Sequence, residues 1–106
     1  MGTKTWYDLI IEVLMTKKMP LQRKDLLTEL INKQDETNVT LDDLHLGLTL
    51  SQLCSKNKLS MYKVEGFPSF YCIPSWFKRD GNLLIEYEID PYTKQLKHNS
   101  NAHKSI

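Results

Sequence analysis

Polar side chains recur at every third or fourth position between residues 42 and 56, in a stretch that is otherwise rich in leucine. At 3.6 residues per turn this spacing predicts one polar edge along a helix, made of Asp42, His45, Thr49, Gln52 and Lys56. Amide, hydroxyl and imidazole groups in such a row can pair with base edges in the major groove of DNA. Gln52 suits adenine, Thr49 a thymine methyl group and His45 a guanine acceptor. Lys56, at the end of the helix, suits a phosphate.

The same row has a second interpretation, as the solvated side of a core helix. Asp42 and Asp43 lie at the end of the helix that enters the groove first in most docking geometries, where phosphates repel carboxylates. A carboxylate can nevertheless accept a hydrogen bond from cytosine N4. Both interpretations stay open at this point.

Basic residues elsewhere in the chain could form a rim that contacts phosphates. They are Arg23, Lys24, Lys58, Lys63, Lys78 and Arg79. Lysines on a hairpin are equally typical of a sheet edge protected against aggregation. Two aromatic residues flank the predicted hairpin turn. Phe70 is expected in the core. Three roles are open for Phe67: packing in the core, a protein contact, or insertion into a minor groove.

Residues able to catalyse a reaction or hold a metal do not group along the chain. His45, His98 and His103 have no cysteine or carboxylate partners at metal-ligand spacing. We find neither a glycine-rich phosphate loop nor a motif for a serine or cysteine nucleophile. We therefore expect no enzymatic activity, no metal and no cofactor.

Hydrophobic spacing indicates the elements that position these residues. A first helix is predicted from a Thr5 N-cap to Met19-Pro20, because proline pushes the residue before it out of the helical region. A link at residues 20–22, often a minimal strand, leads to a second helix from about Arg23 to Lys33. A polar loop covers residues 34–38. A third helix capped by Thr40 is followed by two strands, Leu59–Val64 and Phe70–Ile73, joined around Gly66 and Pro68.

The apolar residues of these helices are expected to form the core. The first helix contributes Trp6, Leu9, Ile10, Val13 and Leu14, and the second contributes Leu26, Leu27, Leu30 and Ile31. The third contributes Leu41, Leu44, Leu46, Leu48, Leu50, Leu53 and Cys54. These residues predict a third helix that is buried over most of its circumference, with only the polar edge exposed.

The segment after Pro74 is predicted to extend this unit. Alternation in Leu83–Ile89 favours a half-buried strand, with Leu83, Ile85, Tyr87 and Ile89 on one side. A lone strand needs a partner, either residues 75–79 or the same segment of a second subunit, which suggests a homodimer through residues 80–90. From about Lys94 the polar chain is expected to fray. We divide the chain into residues 1–78 and an extension at 79–106.

The composition is that of a globular protein, with 41% hydrophobic residues, 25% charged residues and a net charge of +1. The charge is unevenly distributed: residues 1–53 hold six Lys/Arg against eight Asp/Glu, and residues 54–106 hold eight against five. Cys54 and Cys72 are expected to be reduced thiols in the core. No signal peptide or membrane span is predicted, so we expect a cytoplasmic protein, or a nuclear one in a eukaryote.

Three helices followed by a hairpin, with Met19-Pro20-Leu21-Gln22-Arg23-Lys24-Asp25-Leu26 between the first two, resemble a winged helix-turn-helix domain. The wing would be Met61-Tyr62-Lys63-Val64 and Phe70-Tyr71-Cys72-Ile73-Pro74. Over about residues 5–74 the chain is most similar to the HARE-HTH family, with which it shares a Pro-Leu link and a Thr-capped third helix. It differs from that family in its long second loop, in Gly47 and in the acidic start of the third helix.

The resemblance implies an α+β fold of three helices and a β-hairpin wing, here with a strand-containing C-terminal extension. It implies binding to double-stranded DNA, or docking onto DNA-bound machinery. The preferred hypothesis is a DNA-binding, transcription-related regulator that uses His45, Thr49, Gln52, Lys56, Lys58, Lys63, Arg23 and Lys24. The alternative is a protein-docking subunit of a polymerase, chromatin or defence complex. A third, weaker hypothesis is a single-stranded nucleic-acid contact through the aromatic residues of the wing.

Overall fold

The computed structural model describes residues 4–37, 40 and 42–97. They form a small α+β fold of three α-helices and short antiparallel strands. The helices are α1 (Trp6–Lys17), α2 (Arg23–Ile31) and α3 (Asp43–Ser55). The strands are β1 (Leu21–Gln22), β2 (Ser60–Tyr62), β3 (Phe70–Cys72), β4 (Ile89–Asp90) and β5 (Gln95–Leu96). Short 3-10 turns occupy Gln34–Glu36, Pro74–Trp76 and Ile85–Tyr87.

The ends of α1 follow from its sequence. The hydroxyl of Thr5 accepts a hydrogen bond from the Asp8 backbone amide, and the Asp8 carboxylate accepts one from the Thr5 amide, each at 3.2 Å. At the other end Lys18 adopts a left-handed conformation with φ of 55°. Met19-Pro20 then turns the chain into β1. The predicted first helix is thus confirmed at both ends.

The predicted hairpin forms and gains a third strand from the link between the first two helices. The sheet order is β1-β3-β2, all antiparallel. Leu21 pairs with Tyr71, which itself pairs with Met61 on the other side. The minimal strand expected at residues 20–22 is therefore confirmed, and it fixes the start of α2 against the hairpin.

One core lies between the helices and the sheet. Its most buried members come from all three helices, from the hairpin and from the C-terminal segment: Leu9, Ile10, Val13, Leu14, Leu26, Leu30, Leu46, Leu50, Leu53, Leu59, Cys72, Trp76 and Leu83. Phe70 is 1% exposed, as predicted. None of the helices in the described residues has the length and apolar character needed to cross a membrane.

Two predictions about buried helix faces are wrong. Leu44 is 69% exposed, Leu48 is 57% exposed and Ile31 at the end of α2 is 51% exposed. In α3 the inward direction is set by Leu46, Leu50 and Leu53, and a helix turns by about 100° per residue, so Leu44 and Leu48 point away from the core. Leu41 lies outside the described residues.

The start of α3 also differs from the prediction. The N-cap is Asp42, whose carboxylate accepts a hydrogen bond from the His45 amide at 2.8 Å, and not Thr40. An aspartate caps a helix at least as well as a threonine, and its use two residues later shortens the helix accordingly.

The predicted strand at Leu83–Ile89 does not form. Leu83 makes an isolated bridge with Phe77, and a 3-10 turn at Ile85–Tyr87 then interrupts the extended chain. The Tyr87 ring, at the end of this turn, stacks on Trp76 with centroids 4.4 Å apart. Ile85 is 62% exposed, so the expected apolar side is split.

The chain stays ordered beyond the predicted point of fraying at about Lys94. Ile89 pairs with Leu96 and Asp90 pairs with Gln95 in a small antiparallel hairpin. Ile89 is buried, as is Leu83. The unpaired strand that suggested a homodimer through residues 80–90 is therefore not present. Residues 98–106, including His98 and His103, lie outside the described part of the chain.

Candidate functional site

The solvent side of α3 is apolar at its centre. We call it the α3 outward face and define it by the exposed residues of this helix and its C-cap that point away from the core: Leu44, His45, Leu48, Ser51, Gln52, Ser55 and Lys56. Helical geometry places Leu44 and Leu48 almost opposite the buried Leu46, Leu50 and Leu53. The two leucines are one turn apart and form a continuous apolar spot.

The predicted polar row lies along one margin of this face. His45, Gln52 and Lys56 are exposed, whereas Thr49 is half-buried and Asp42 serves as the N-cap. The helix is thus rotated, relative to the expectation, so that the row flanks the leucines and does not form the centre of the exposed surface. Sequence reasoning treated all leucines as inward and so missed the apolar centre.

His45 is committed to a contact within its own helix end. Its Nδ1 lies 2.8 Å from Oδ2 of Asp42, and Oδ1 of the same carboxylate accepts the His45 backbone N–H at 2.8 Å. That backbone hydrogen bond, followed by the one from the imidazole, holds the pKa of Asp42 below its usual range. Only Nε2 of the imidazole remains for an outside partner.

Arg23 is likewise occupied. Its Nε and Nη2 atoms donate to the two carboxylate oxygens of Asp43 at 2.9 and 2.8 Å, and Nη2 also donates to the Asp43 carbonyl at 2.8 Å. This bidentate pair clamps the start of α2 onto the start of α3. The predicted phosphate contact at Arg23 therefore competes with an internal carboxylate.

Four lysines among the eight predicted DNA contacts are exposed. Lys24, Lys56, Lys58 and Lys63 have no carboxylate oxygen within 4 Å among the residues that the structure describes. Lys56 and Lys58 follow α3 directly, and Lys63 follows β2. The charges of these four lysines are available to an anionic partner. Lys56, Lys58 and Lys63 are close in sequence, whereas Lys24 lies at the start of α2.

The tip of the β2–β3 hairpin meets the C-terminal hairpin. The ring of Phe67 contacts that of Tyr92 edge-on, with centroids 5.0 Å apart and an angle of 87° between the rings. Tyr92 remains 84% exposed, while Phe67 is half-buried. The Lys94 ammonium, 3.4 Å from the Asp25 carboxylate, ties the C-terminal hairpin to α2.

An open cleft of about 590 Å³ lies where these segments meet. Its lining comes from the start of α2, the start of α3, the hairpin tip and the turn between β4 and β5: Gln22, Arg23, Lys24, Asp43, Phe67, Pro68, Pro91, Tyr92 and Lys94. Sequence reasoning missed this cleft because its four segments are far apart along the chain and carry no shared motif.

Within the described residues no group of three or more His, Cys, Asp or Glu side chains is arranged to hold a metal ion. Comparison of the chain with models of protein families, with curated proteins and with solved structures gives no match.

Proposed function

We propose that this chain is a protein-docking module of the winged-helix type, which binds its partner through the α3 outward face. The observation that carries the proposal is the exposure of Leu44 and Leu48 at the centre of that face. Two large apolar side chains one turn apart match the i, i+4 anchors with which helices enter apolar grooves of other proteins. An exposed apolar patch rimmed by polar residues is typical of protein interaction sites.

The chemistry of the face favours a protein over a DNA groove. In the major groove a leucine finds an apolar partner only in the thymine methyl group, while it displaces water from polar base edges. Asp42 at the start of α3 adds negative charge where phosphates would approach. One of the eight predicted DNA contacts, Arg23, already gives Nε and Nη2 to Asp43, which leaves only Nη1 to donate to a DNA phosphate.

The order of elements supports the winged-helix part of the proposal. Helices α1, α2 and α3 are followed by the β2–β3 hairpin, and β1 adds a third strand from the link between α1 and α2. This order resembles the HARE-HTH variety, in which α3 would be the recognition helix and the hairpin the wing. The resemblance, together with the exposed leucines, favours a subunit that docks onto DNA-bound machinery.

Site-specific photocrosslinking tests the proposal. A photoreactive phenylalanine at position 48, expressed in the natural host, should give a protease-sensitive adduct of higher mass. The same residue at position 15, where Met15 of α1 is 53% exposed, serves as the matched control and should give none. Adding Leu44→Ser to the position-48 chain should remove the adduct. A nuclease-sensitive adduct, or the same adduct from both positions, would contradict protein docking by α3.

Duplex DNA binding is the second candidate, favoured by Lys56, Lys58 and Lys63, which are exposed and form no ion pair with any described residue. A DNA-binding domain should lose affinity by about 0.9 log unit per log unit of salt for each phosphate neutralised. Fluorescence anisotropy with labelled duplex DNA across a salt series measures this slope. A steep slope that falls when Lys63→Ala is introduced would establish DNA binding, and an absence of binding at low salt would exclude it.

A further inference from the structure

The cleft between the start of α2 and the two hairpin turns combines cationic and aromatic side chains. Three cationic side chains line it: Arg23 pairs with Asp43, Lys94 pairs with Asp25, and Lys24 has no ion-pair partner in the described chain. The aromatic lining is Phe67 and Tyr92. A volume of about 590 Å³ falls within the range of small-molecule sites. This site lies apart from the α3 outward face and is independent of the function proposed above.

The cationic side of the cleft has hydrogen-bond donors that Asp43 does not use. Arg23 uses Nε and Nη2 on Asp43, so the two N–H groups of Nη1 have no protein acceptor among the described residues. Because Asp43 holds the guanidinium in place, these donors are oriented before any ligand arrives. Lys24 is exposed and has no ion-pair partner in the described chain, so its ammonium adds a mobile positive charge. The positive end of the α2 dipole opens on the same edge and adds to the attraction that the side chains exert.

The aromatic side of the cleft offers a ring on which a planar ligand can stack. Tyr92 touches Phe67 edge-on and is 84% exposed, so at least one face of its ring is open to a planar ligand. Phe67 is half-buried and packs against the tyrosine ring. Rings of this kind stack on nucleic-acid bases without regard to base identity.

We propose that this cleft binds a nucleoside monophosphate, either free or as the phosphorylated end of a single strand. The base would stack on Tyr92, and the phosphate would accept hydrogen bonds from Nη1 of Arg23 and Nζ of Lys24. Phosphate needs hydrogen-bond donors and positive charge, and a base needs an aromatic face. The cleft presents both in its lining, which fits a ligand whose charged and planar parts are joined by a sugar.

NMR titration of the ¹⁵N-labelled chain tests this assignment. AMP should shift the amide signals of Lys24, Phe67 and Tyr92, while adenosine and inorganic phosphate should each bind at least about ten-fold more weakly, since each lacks one of the two contacts. A short 5′-phosphorylated oligoadenylate distinguishes the sources. Binding of AMP indicates a free nucleotide, and binding of the oligoadenylate alone indicates a strand end. Failure of both overturns the proposal.

Point variants distinguish binding in the cleft from non-specific attraction of AMP to the protein surface. Lys24→Ala and Tyr92→Ala should each weaken AMP binding about ten-fold, whereas Tyr92→Phe should preserve it because the ring remains. Lys18→Gln and Tyr7→Ala, which remove an exposed lysine and an exposed tyrosine elsewhere, are the matched controls and should leave affinity unchanged. Equal losses in controls and cleft variants would overturn the assignment, as would tighter binding of a peptide that ends in tyrosine.

Discussion

The guanidinium of Arg23 lies directly against the backbone of Gly47 in α3. A methyl group built on Gly47 would come within 2.8 Å of Nη2 of Arg23 and 2.9 Å of its central carbon. Glycine inside a helix lowers stability by about 0.5–1 kcal/mol relative to alanine, so its presence here calls for a reason. The structure supplies one: the absence of a side chain leaves room for Arg23 to reach the carboxylate of Asp43.

Replacing Gly47 with alanine tests this relationship. In an Arg23→Ala background the substitution should stabilise the fold by about 1 kcal/mol, the full difference in helix propensity. In the natural chain the gain should be smaller, because the guanidinium must leave Asp43 and an exposed bidentate pair contributes up to about 1 kcal/mol. Urea unfolding of the four chains measures both values. Equal gains in the two backgrounds would show that Arg23 does not rest on Gly47.

Truncating a leucine should lower stability much more on the buried side of α3 than on its exposed side. Leu50 is 1% exposed, so Leu50→Ala should cost about 2–5 kcal/mol by leaving a cavity. Leu48 is 57% exposed, and Leu48→Ala should change the free energy of unfolding by no more than about 0.5 kcal/mol. Chemical denaturation provides both numbers. A loss of several kcal/mol at Leu48 would restore the original expectation that this leucine belongs to the core.

Acid should weaken the fold through Glu12. Its carboxylate accepts hydrogen bonds from Lys33 at 2.8 Å and from Lys4 at 2.7 Å, which lower its pKa from 4.5 to about 2. A carboxyl group with a lowered pKa in the folded state stabilises the fold above its unfolded pKa and loses that contribution as the pH falls. The stabilising effect should therefore be complete above about pH 5 and disappear between about pH 4.5 and pH 2.

The matched variant for this prediction is Glu12→Gln. The difference in unfolding free energy between the natural chain and the variant should be constant near neutral pH and shrink toward zero at about pH 2. Thermal or urea unfolding at a series of pH values gives this difference. A difference that is independent of pH would mean that the contacts of Glu12 with Lys4 and Lys33 do not affect stability.

The two thiols should differ in reactivity. Cys72 is fully buried, and burial raises its pKa to about 12, whereas Cys54 is half-buried with a pKa raised less strongly by the same cause. Because the thiolate is the nucleophile, both should react slowly with a disulfide reagent at neutral pH, and Cys72 should be the slower. In the Cys54→Ser variant, the labelling rate of Cys72 should rise steeply at urea concentrations below the unfolding transition, since Cys72 becomes accessible when the fold opens. Equal rates for Cys54→Ser and Cys72→Ser would contradict the buried position of Cys72.

Much of the fold follows from local sequence signals. The Thr5–Asp8 capping box, the break at Met19-Pro20, the strand at residues 21–22 and the β2–β3 hairpin are each determined by residues close together in sequence. The strand expected at Leu83–Ile89 failed for a non-local reason. Stacking of Tyr87 on Trp76 and burial of Leu83 decide the conformation there, and alternation alone does not report either contact.

The candidate site was harder to predict than the fold. The spacing of the polar row identified α3 and its exposed margin, and His45, Gln52 and Lys56 do lie there. The exposure of Leu44 and Leu48 could not be foreseen, because a leucine has the same hydrophobicity wherever the helix turns it. The cleft beside Tyr92 depends on the β4–β5 hairpin. The polar composition after Asp90-Pro91 does not predict that hairpin.

Helix α3 presents Leu44 and Leu48 to solvent at the middle of its exposed face. Solvent paramagnetic relaxation of leucine methyl signals by a soluble gadolinium chelate measures this directly in dilute solution. The methyl signals of Leu44 and Leu48 should relax strongly while those of Leu46 and Leu50 stay protected. Protection of Leu48 equal to that of Leu50 would remove the apolar surface on which protein docking depends.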